Sequence, residues 1–279
     1  MMNGNLVDKE RALDGILFDL ERVVVAYSGG VDSAYLTSRA HAVLGEDALA
    51  VTAVSPSLST RELKAATALA TGRRWHHELV KTDEVEREEY ARNDPDRCYW
   101  CKTELFDVLG PIARSRGAAV VVGTNVDDLG DIRPGLRAAR ERSARAPMVE
   151  AGLSKEEVRE LSRVQGLPTA DKPASPCLAS RFAYGVRVTP EGLEKIERAE
   201  EAVRALGFTV FRVRDHGDLA RIEIPPDDME KAFAIRAQLE THLRELGWRY
   251  VTLDLTGFRS GSMNEVLAPP RLRGAQPRS

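Results

Sequence analysis

The segment "VVVAYSGGVDSAYL", from Val23 to Leu36, decides the fold of this chain. A β-branched apolar run (22–27) predicts a buried strand, and helical spacing begins at Ser33. The turn between them consists of Ser28, Gly29, Gly30, Val31, Asp32 and Ser33. Glycines let the backbone approach a ligand closely, and the N–H groups of a helix N-terminus attract anions, so this turn is predicted to hold phosphate. It lacks the Gly-Lys-Ser/Thr ending of the common phosphate loop; Asp32 can instead hold a magnesium ion that bridges phosphates.

Strand-like and helix-like segments alternate through the first two thirds of the chain. The predicted strands are 22–27, 48–55, 74–82 and 118–124, and the predicted helices are 6–20, 33–45, 59–72 and 153–168. This order favours an α/β fold with a parallel sheet and crossover helices. Ligands of such sheets lie at the carboxyl ends of the strands, where Ser28 and Thr124 fall. We therefore expect Gly123 and Thr124 to contact the same ligand as the turn.

The pattern changes after Gly185. A helix (189–207), a β-hairpin (208–217 and 219–226), a second helix (227–247) and a final strand (249–255) predict a compact α+β unit. We expect one domain over residues 1–185, a smaller α+β domain over 186–268 that serves the substrate or oligomerisation, and a disordered tail over 269–279.

Composition excludes several classes of protein. The chain has 279 residues and a net charge of -3, and its pI of about 6.0 argues against a broad nucleic-acid-binding face. No apolar stretch approaches the ~18 residues that span a bilayer, and the N-terminus lacks a signal-type apolar core, so we expect a cytoplasmic protein. The acidic run 83–96 is typical of a solvated helix face.

The three cysteines carry the second chemical signal. Cys98 and Cys101 have the Cys-x-x-Cys spacing, and Cys177 lies in a proline-broken loop. An odd count in a chain of this kind speaks against a disulfide framework. No histidine is a clear fourth ligand by spacing, so three thiolates suggest a [4Fe–4S] cluster with one open iron. A redox pair with a spare cysteine and three independent buried thiols are the alternatives.

Basic residues near these cysteines could receive an anionic substrate. Arg181 follows Cys177 by four residues, Lys102 follows the cysteine pair, and Arg212 and Arg214 share one face of a strand. Arginine is favoured for bidentate binding of phosphate. Taken alone, each of these residues is more often a surface charge than a ligand contact.

Several motifs resemble known families. "SGGVDS" resembles the loop of the PP-loop ATP pyrophosphatases, which have an adenine nucleotide alpha hydrolase-like fold and cleave ATP between its α and β phosphates. "GTNVDDLGDIRPG" (123–135), "DKPASPCLASRFAYG" (171–185) and "GFRSGSMNE" resemble the LarE group of these enzymes. The resemblance covers roughly residues 6–268.

The resemblance implies a sulfur transferase. LarE proteins adenylate a carboxylate of pyridinium-3,5-biscarboxylic acid mononucleotide and convert it to a thiocarboxylate in the biosynthesis of the nickel-pincer nucleotide, the cofactor of lactate racemase. It implies that the turn, Gly123 and Thr124 bind ATP with Mg²⁺, and that the substrate phosphate is contacted by Ser180, Arg181, Arg212 and Arg214. Lys102 is predicted as a further substrate contact from its position directly after the cysteine pair. Nickel-insertion and carboxylase partners of the same pathway and a homo-oligomer are further expectations.

The family uses two sulfur sources. In one branch a single cysteine, which matches Cys177, gives up its sulfur; in the other, three cysteines hold an iron–sulfur cluster that relays sulfide. Cys98 and Cys101 make this chain resemble the cluster branch, and we predict that all three cysteines are catalytic. The alternatives are sacrificial use of Cys177, a tRNA-thiolating PP-loop enzyme, an amide-forming ligase, and a non-catalytic nucleotide- or metal-binding protein.

Overall fold

The chain divides into two units, residues 1–177 and 178–279. The computed structural model describes residues 4–130, 134–259 and 261–267. The domain boundary predicted from the sequence, at residue 185, falls within the second of these units. The tail 269–279 and residues 131–133 of the segment 123–135 lie outside the described residues.

A four-stranded parallel sheet forms the centre of the first unit. Its strands are β1 (Val23–Ala26), β2 (Ala48–Val54), β3 (His77–Lys81) and β4 (Ala119–Val122), in the order β3-β2-β1-β4. The helices are α1 (Gly4–Asp19), α2 (Val31–Leu44), α3 (Thr60–Gly72), α4 (Glu88–Ala91), α5 (Arg97–Arg116), α6 (Pro134–Glu141), α7 (Pro147–Glu150) and α8 (Lys155–Val164). The predicted parallel α/β sheet is confirmed, and β1, which leads into the glycine turn, pairs with β2 on one side and β4 on the other.

Both faces of this sheet are covered, which explains why β1 is apolar at successive positions. Val23 and Val25 pack in one core cluster with Leu17 and Leu36 of the flanking helices. Val24 packs on the opposite face, with leucines of β2 and α5. Side chains of a strand alternate between faces, so a strand buried on both sides needs a continuous β-branched run. The core holds the end of β1 rigidly where the turn begins.

The second unit is built on a three-stranded sheet of order β5-β6-β7. Its strands are β5 (Arg212–Asp215), β6 (Leu219–Glu223) and β7 (Tyr250–Leu253), and its helices are α9 (Pro190–Ala205), α10 (Met229–Ala234) and α11 (Arg236–Glu245). The predicted hairpin is present as the antiparallel β5–β6 pair, and β7 joins β6 in parallel.

Two local predictions need correction. The helix expected over 227–247 is interrupted at Ile235, where the sequence contains neither proline nor glycine to indicate a break. The 20-residue helix α5 was not expected; it contains Pro111 and ends at Gly117 in the left-handed conformation. Among the described residues, no helix is long and apolar enough to cross a membrane.

Candidate functional site

Two glycines let three segments meet at the beginning of α2. Gly29 has φ +70°, and a Cβ placed there would lie 2.7 Å from the Cβ of Ala66 in α3. Gly123 follows β4, and a Cβ there would lie 2.7 Å from the backbone nitrogen of Ser33. Both positions therefore exclude a side chain. The sequence-predicted contacts Gly123 and Thr124 are thus next to the turn, since Gly123 packs on its last residues.

The N-terminus of α2 is open to a ligand. Its N-cap, Gly30, provides no side-chain cap, whereas Ser59 caps α3 and Ser154 caps α8. Uncapped N–H groups at the start of a helix attract anions. The two serines of the turn hold its shape: Ser33 Oγ accepts from Ser28 N at 3.2 Å, and the two hydroxyl oxygens are 3.0 Å apart.

Asp32 lies in a polar network that the sequence did not indicate. Its carboxylate forms an ion pair with Lys155 of α8 and accepts from the Asn125 side-chain amide at 3.1 Å. Asn125 is buried, and its own oxygen accepts from Asp127 N at 3.0 Å. Asp127 in turn accepts from the backbone of Lys155 at 2.7 Å. A lysine from a distant segment thus stands beside a loop that has no lysine of its own.

A second lysine reaches the other side of the turn. Lys172 Nζ donates to the carbonyl oxygen of Gly29 at 3.0 Å and to Glu62 Oε2 at 2.6 Å. It tethers the left-handed glycine to α3, on which that glycine packs. Lys172 belongs to the segment 171–185 quoted above for its resemblance, but its contact with the turn was not predicted.

A cavity of about 160 Å³ lies at the carboxyl ends of β1 and β2. Its lining includes, from the sequence-predicted residues, Ser28, Cys101, Lys102 and Cys177. The remaining lining residues are Ala26, Tyr27, Val51, Thr52, Ala53, Ser55, Ser57, Leu58, Thr82, Glu84 and Leu105. The structure therefore brings the phosphate-type loop and two of the three cysteines to one cavity.

The three thiols are neighbours. Burial raises the pKa of Cys101, and the Glu84 carboxylate and the thiols of Cys177 and Cys98 raise it further, while Lys102 opposes them. Cys98 and Cys101 are one turn apart on α5, and Cys98 is exposed. Thiolates are the usual protein ligands of iron–sulfur clusters, so the donor set fits such a group. In the described part of the chain, however, no three His, Cys, Asp or Glu side chains converge to metal-binding distances.

The acidic run 83–96 is not only a solvated face, because Glu84 is buried. Glu84 Oε1 accepts from Ser57 Oγ at 2.6 Å and from Ser55 Oγ at 2.5 Å. These hydroxyls satisfy a carboxylate at the cavity wall, as burial of a charge requires. Charge runs usually indicate exposure, so the sequence alone could not single out this residue.

The sequence-predicted arginines of the second unit lie together, and Arg181 and Arg214 are paired with glutamates. Arg181 donates to both carboxylate oxygens of Glu200 at 2.9 Å, and both side chains are almost fully buried. It also donates to Ser180 Oγ at 3.1 Å. Such a bidentate pair fixes the plane of the guanidinium.

Arg214 and Arg212 extend this cluster. Arg214 bonds Glu223 Oε2 at 2.7 Å and 3.0 Å and donates to the Ser180 carbonyl oxygen at 3.1 Å. Burial lowers the pKa of Arg212 to about 10, the positive charges of Arg181 and Arg214 contribute, and the carboxylates of Glu200 and Glu223 oppose them. Ser180 and the three arginines therefore lie close together and form a candidate anion site.

The fold and the loop define an α/β protein with a PP-loop-type domain and a smaller second unit. No family model matches the chain. It is 38% identical over 269 residues to the pyridinium-3,5-bisthiocarboxylic acid mononucleotide synthase of Lactiplantibacillus plantarum, covering 96% of this chain and 98% of that protein. The chain belongs to the LarE family, of which that synthase is a named member.

Two uncharacterized proteins are also similar. One, from Synechocystis sp., is 47% identical over 252 residues, which cover 89% of this chain and 94% of the relative. The other, from Methanocaldococcus jannaschii, is 31% identical over 244 residues, which cover 87% and 93%. The similarity therefore extends across both units.

Proposed function

We propose that this protein is an ATP-dependent sulfur transferase that converts a carboxylate of pyridinium-3,5-biscarboxylic acid mononucleotide to a thiocarboxylate. The name of the Lactiplantibacillus relative supports the product class. The observation that carries the proposal is the single cavity lined by Ser28 of the loop and by Cys101 and Cys177. Activation by a nucleotide and delivery of sulfur have to meet at one carbon atom, and this cavity provides both groups.

The loop would bind the triphosphate of ATP. The open N-terminus of α2 and the Ser28 and Ser33 hydroxyls are donors for phosphate oxygens. Lys155 and Lys172 supply positive charge from outside the loop. Asp32 is a suitable oxygen ligand for Mg²⁺, which would neutralise phosphate charge when bound.

The first chemical step is adenylation. A substrate carboxylate oxygen attacks the α phosphorus of ATP, the bond between that phosphorus and the bridging oxygen breaks, and pyrophosphate leaves. The acyl adenylate has AMP as its leaving group in place of oxide. The loop residues contribute by orienting the triphosphate and by stabilising charge on the departing pyrophosphate.

The second step takes place at the cysteine end of the cavity. Sulfur at the oxidation level of sulfide attacks the acyl carbon, the bond to the adenylate oxygen breaks, and AMP departs with that oxygen. Cys101 and Cys177 hold the sulfur beside the activated carbon, and Lys102 faces the same space.

Cys98, Cys101 and Cys177 are the residues that would hold a [4Fe–4S] cluster, which would supply an open iron as the carrier of sulfide. The arginines of the second unit would bind the phosphate of the mononucleotide. Nickel-insertion and carboxylase partners, a homo-oligomer and a cytoplasmic location belong to the same proposal.

The test is anaerobic turnover after reconstitution with iron and sulfide. We expect AMP and pyrophosphate to form only with the pyridinium dicarboxylate nucleotide, together with a thiocarboxylate product in the mass spectrum. ATP cleavage that requires ammonia, or tight salt-sensitive binding of tRNA with thiolation of the RNA, would overturn the proposal.

The same assay distinguishes the two sulfur sources. With a relay, Cys98→Ala loses multiple turnover and Cys177 stays intact. If Cys98→Ala keeps full multiple turnover, the three-thiolate relay is wrong. A single turnover that converts Cys177 to dehydroalanine would show that this residue is sacrificial.

A further inference from the structure

A buried phenol lies beside the cysteines without a hydrogen-bond partner. Tyr90, in α4, is 1% exposed, and no described residue accepts from or donates to its hydroxyl. Burying a hydroxyl without a partner is costly, and such groups are rare in folded proteins. The buried Tyr27 and Tyr35 hydroxyls do have partners, the Ala66 carbonyl oxygen at 3.1 Å and Glu10 at 3.1 Å.

The surroundings of the phenol are those of the cavity. Burial raises the pKa of Tyr90, the thiols of Cys177 and Cys101 and the carboxylate of Glu84 raise it further, and the positive charge of Arg97 opposes them. The two thiols and Glu84 line the cavity, whereas Arg97 does not. A tyrosine hydroxyl is a hydrogen-bond donor at neutral pH. This hydroxyl is buried and unpaired, and its neighbours include the two thiols that line the cavity.

We propose that Tyr90 is a positioning residue whose hydroxyl donates a hydrogen bond to the sulfur held at Cys101 and Cys177. This inference rests on the proposed function, because it assumes that sulfur is loaded at these cysteines. A neutral donor suits the task, since it stabilises negative sulfur and holds it at one place without giving up a proton. Hydrogen bonds to sulfur ligands also tune iron–sulfur groups.

Glu84 does not compete for this role. Its Oε1 already accepts from two serine hydroxyls, and as a carboxylate it repels a sulfur anion. Lys102 is a cation that can attract sulfur or substrate but has no fixed donor direction. Among the described lining residues and their neighbours, Tyr90 combines a rigid ring, burial and an unused donor.

The experiment compares the wild type with Tyr90→Phe, with Tyr35→Phe as the matched control. Tyr35 is a fully buried tyrosine of α2 whose hydroxyl bonds Glu10, outside the cavity. Each protein is reconstituted anaerobically with iron and sulfide and desalted, and the retained acid-labile sulfide is measured. ATP–pyrophosphate exchange and thiocarboxylate formation are then followed separately.

We expect Tyr90→Phe to lose retained sulfide and to transfer sulfur about tenfold more slowly, as removal of one hydrogen bond to a charged atom implies. Its ATP–pyrophosphate exchange should be unchanged, and Tyr35→Phe should match the wild type in all three assays. Incorporation of 4-aminophenylalanine at position 90 restores a donor and should restore retention, which a purely structural role would not predict.

Retention and transfer equal to wild type in Tyr90→Phe would overturn the inference. If the wild type forms no thiocarboxylate but retains sulfide in a Tyr90-dependent manner, the proposed function fails and the placement of sulfur stands. If Tyr90→Phe does not fold, the variant with 4-aminophenylalanine at position 90 is tested alone. A folded variant of this kind that does not retain sulfide would overturn the inference.

Discussion

The loop of the first unit and the arginine cluster of the second present positive charge in opposite ways. The loop relies on the backbone, with glycines that admit close approach and an uncapped helix end. The cluster relies on side chains, and its buried arginines are held by buried glutamates. Backbone donors are aimed by chain geometry, whereas guanidinium groups need partners to fix them and to offset the cost of burial.

Because of this difference, we expect substitutions in the loop and substitutions in the arginine cluster to affect different properties of the protein. The loop offers backbone N–H groups to a ligand, so changes there should affect activity more than folding. The paired arginines form buried ion pairs within the second unit, so their loss should lower its stability as well as any binding of an anion. Substitutions in the loop, the cavity and the arginine cluster test that contrast.

The largest effect is expected at the cysteine end of the cavity. Cys177→Ala should abolish thiocarboxylate formation while substrate-dependent ATP–pyrophosphate exchange continues, because adenylation uses the loop and not the thiol. Product is followed by mass spectrometry and exchange with labelled pyrophosphate. Loss of both activities together would show that the loop and the cysteines are not separable.

Removing a buried charge partner should destabilise the second unit. Glu200→Gln leaves the Arg181 guanidinium without its buried countercharge, and breaking such a pair costs roughly 3 kcal/mol. Hydrogen exchange of peptides from α9 and β5 in increasing urea measures the change. Glu240→Gln, in a half-exposed pair with Arg244, is the control and should have no measurable effect. Equal stabilities of the two variants would contradict the structural role of the cluster.

A methyl group added at Gly123 should slow catalysis because it displaces the end of the loop at Ser33. Gly123→Ala pushes against the backbone of Ser33, and misplacement of bound phosphate by about 1 Å can cost about 100-fold in rate. Pyrophosphate release is the measurement. Gly15→Ala on the exposed side of α1 meets no atom within 4 Å and should keep full activity and gain up to about 1 kcal/mol in stability. Full activity of Gly123→Ala would mean that the close packing is not needed.

Substitution of Lys155 tests whether this lysine of α8 contributes to ATP binding at the loop. Lys155→Met removes a charged donor, and the KM for ATP should rise about tenfold with a smaller change in kcat. The exposed Lys64→Met on α3 is the control. A lower magnesium requirement with unchanged KM for ATP would show instead that Lys155 only neutralises Asp32.

The smallest effect is a pH dependence in the second unit. Burial would raise the pKa of Glu223, but hydrogen bonds from Arg214, Ser262 and Arg221 and the charge of Arg214 lower it overall. A carboxylate with a lowered folded-state pKa contributes stability above its unfolded pKa, near 4.3, and that stability is lost as the pH falls through the folded value. The stability difference between wild type and Glu223→Gln should therefore shrink below about pH 4. A constant difference from pH 7 to pH 3 would contradict this assignment.

Much of the loop could be predicted because its determinants are adjacent. Val23–Ala26, the glycines and the helix that follows are consecutive, and each local preference agrees with the parallel sheet. The N-caps Ser59 and Ser154 are local in the same way, since each side chain accepts from the backbone N–H of the glutamate three residues later. The two-residue spacing of Arg212 and Arg214 likewise fixed their common face.

The chain by itself therefore determined the α/β class, the turn from Ser28 to Ser33 and the identity of the cysteines and arginines as candidates. Only the tertiary structure decided that Lys155 pairs with Asp32, 123 residues away in the sequence, and that Lys172 bonds to Gly29, 143 residues away. It also decided that Glu84 is buried within an acidic run and that Tyr90 lies by two thiols. Contacts of this kind depend on how the helices pack on the sheet. Such packing joins residues that are distant in the sequence, so no local pattern distinguishes the lysine, glutamate or tyrosine that makes the contact from others nearby in the chain.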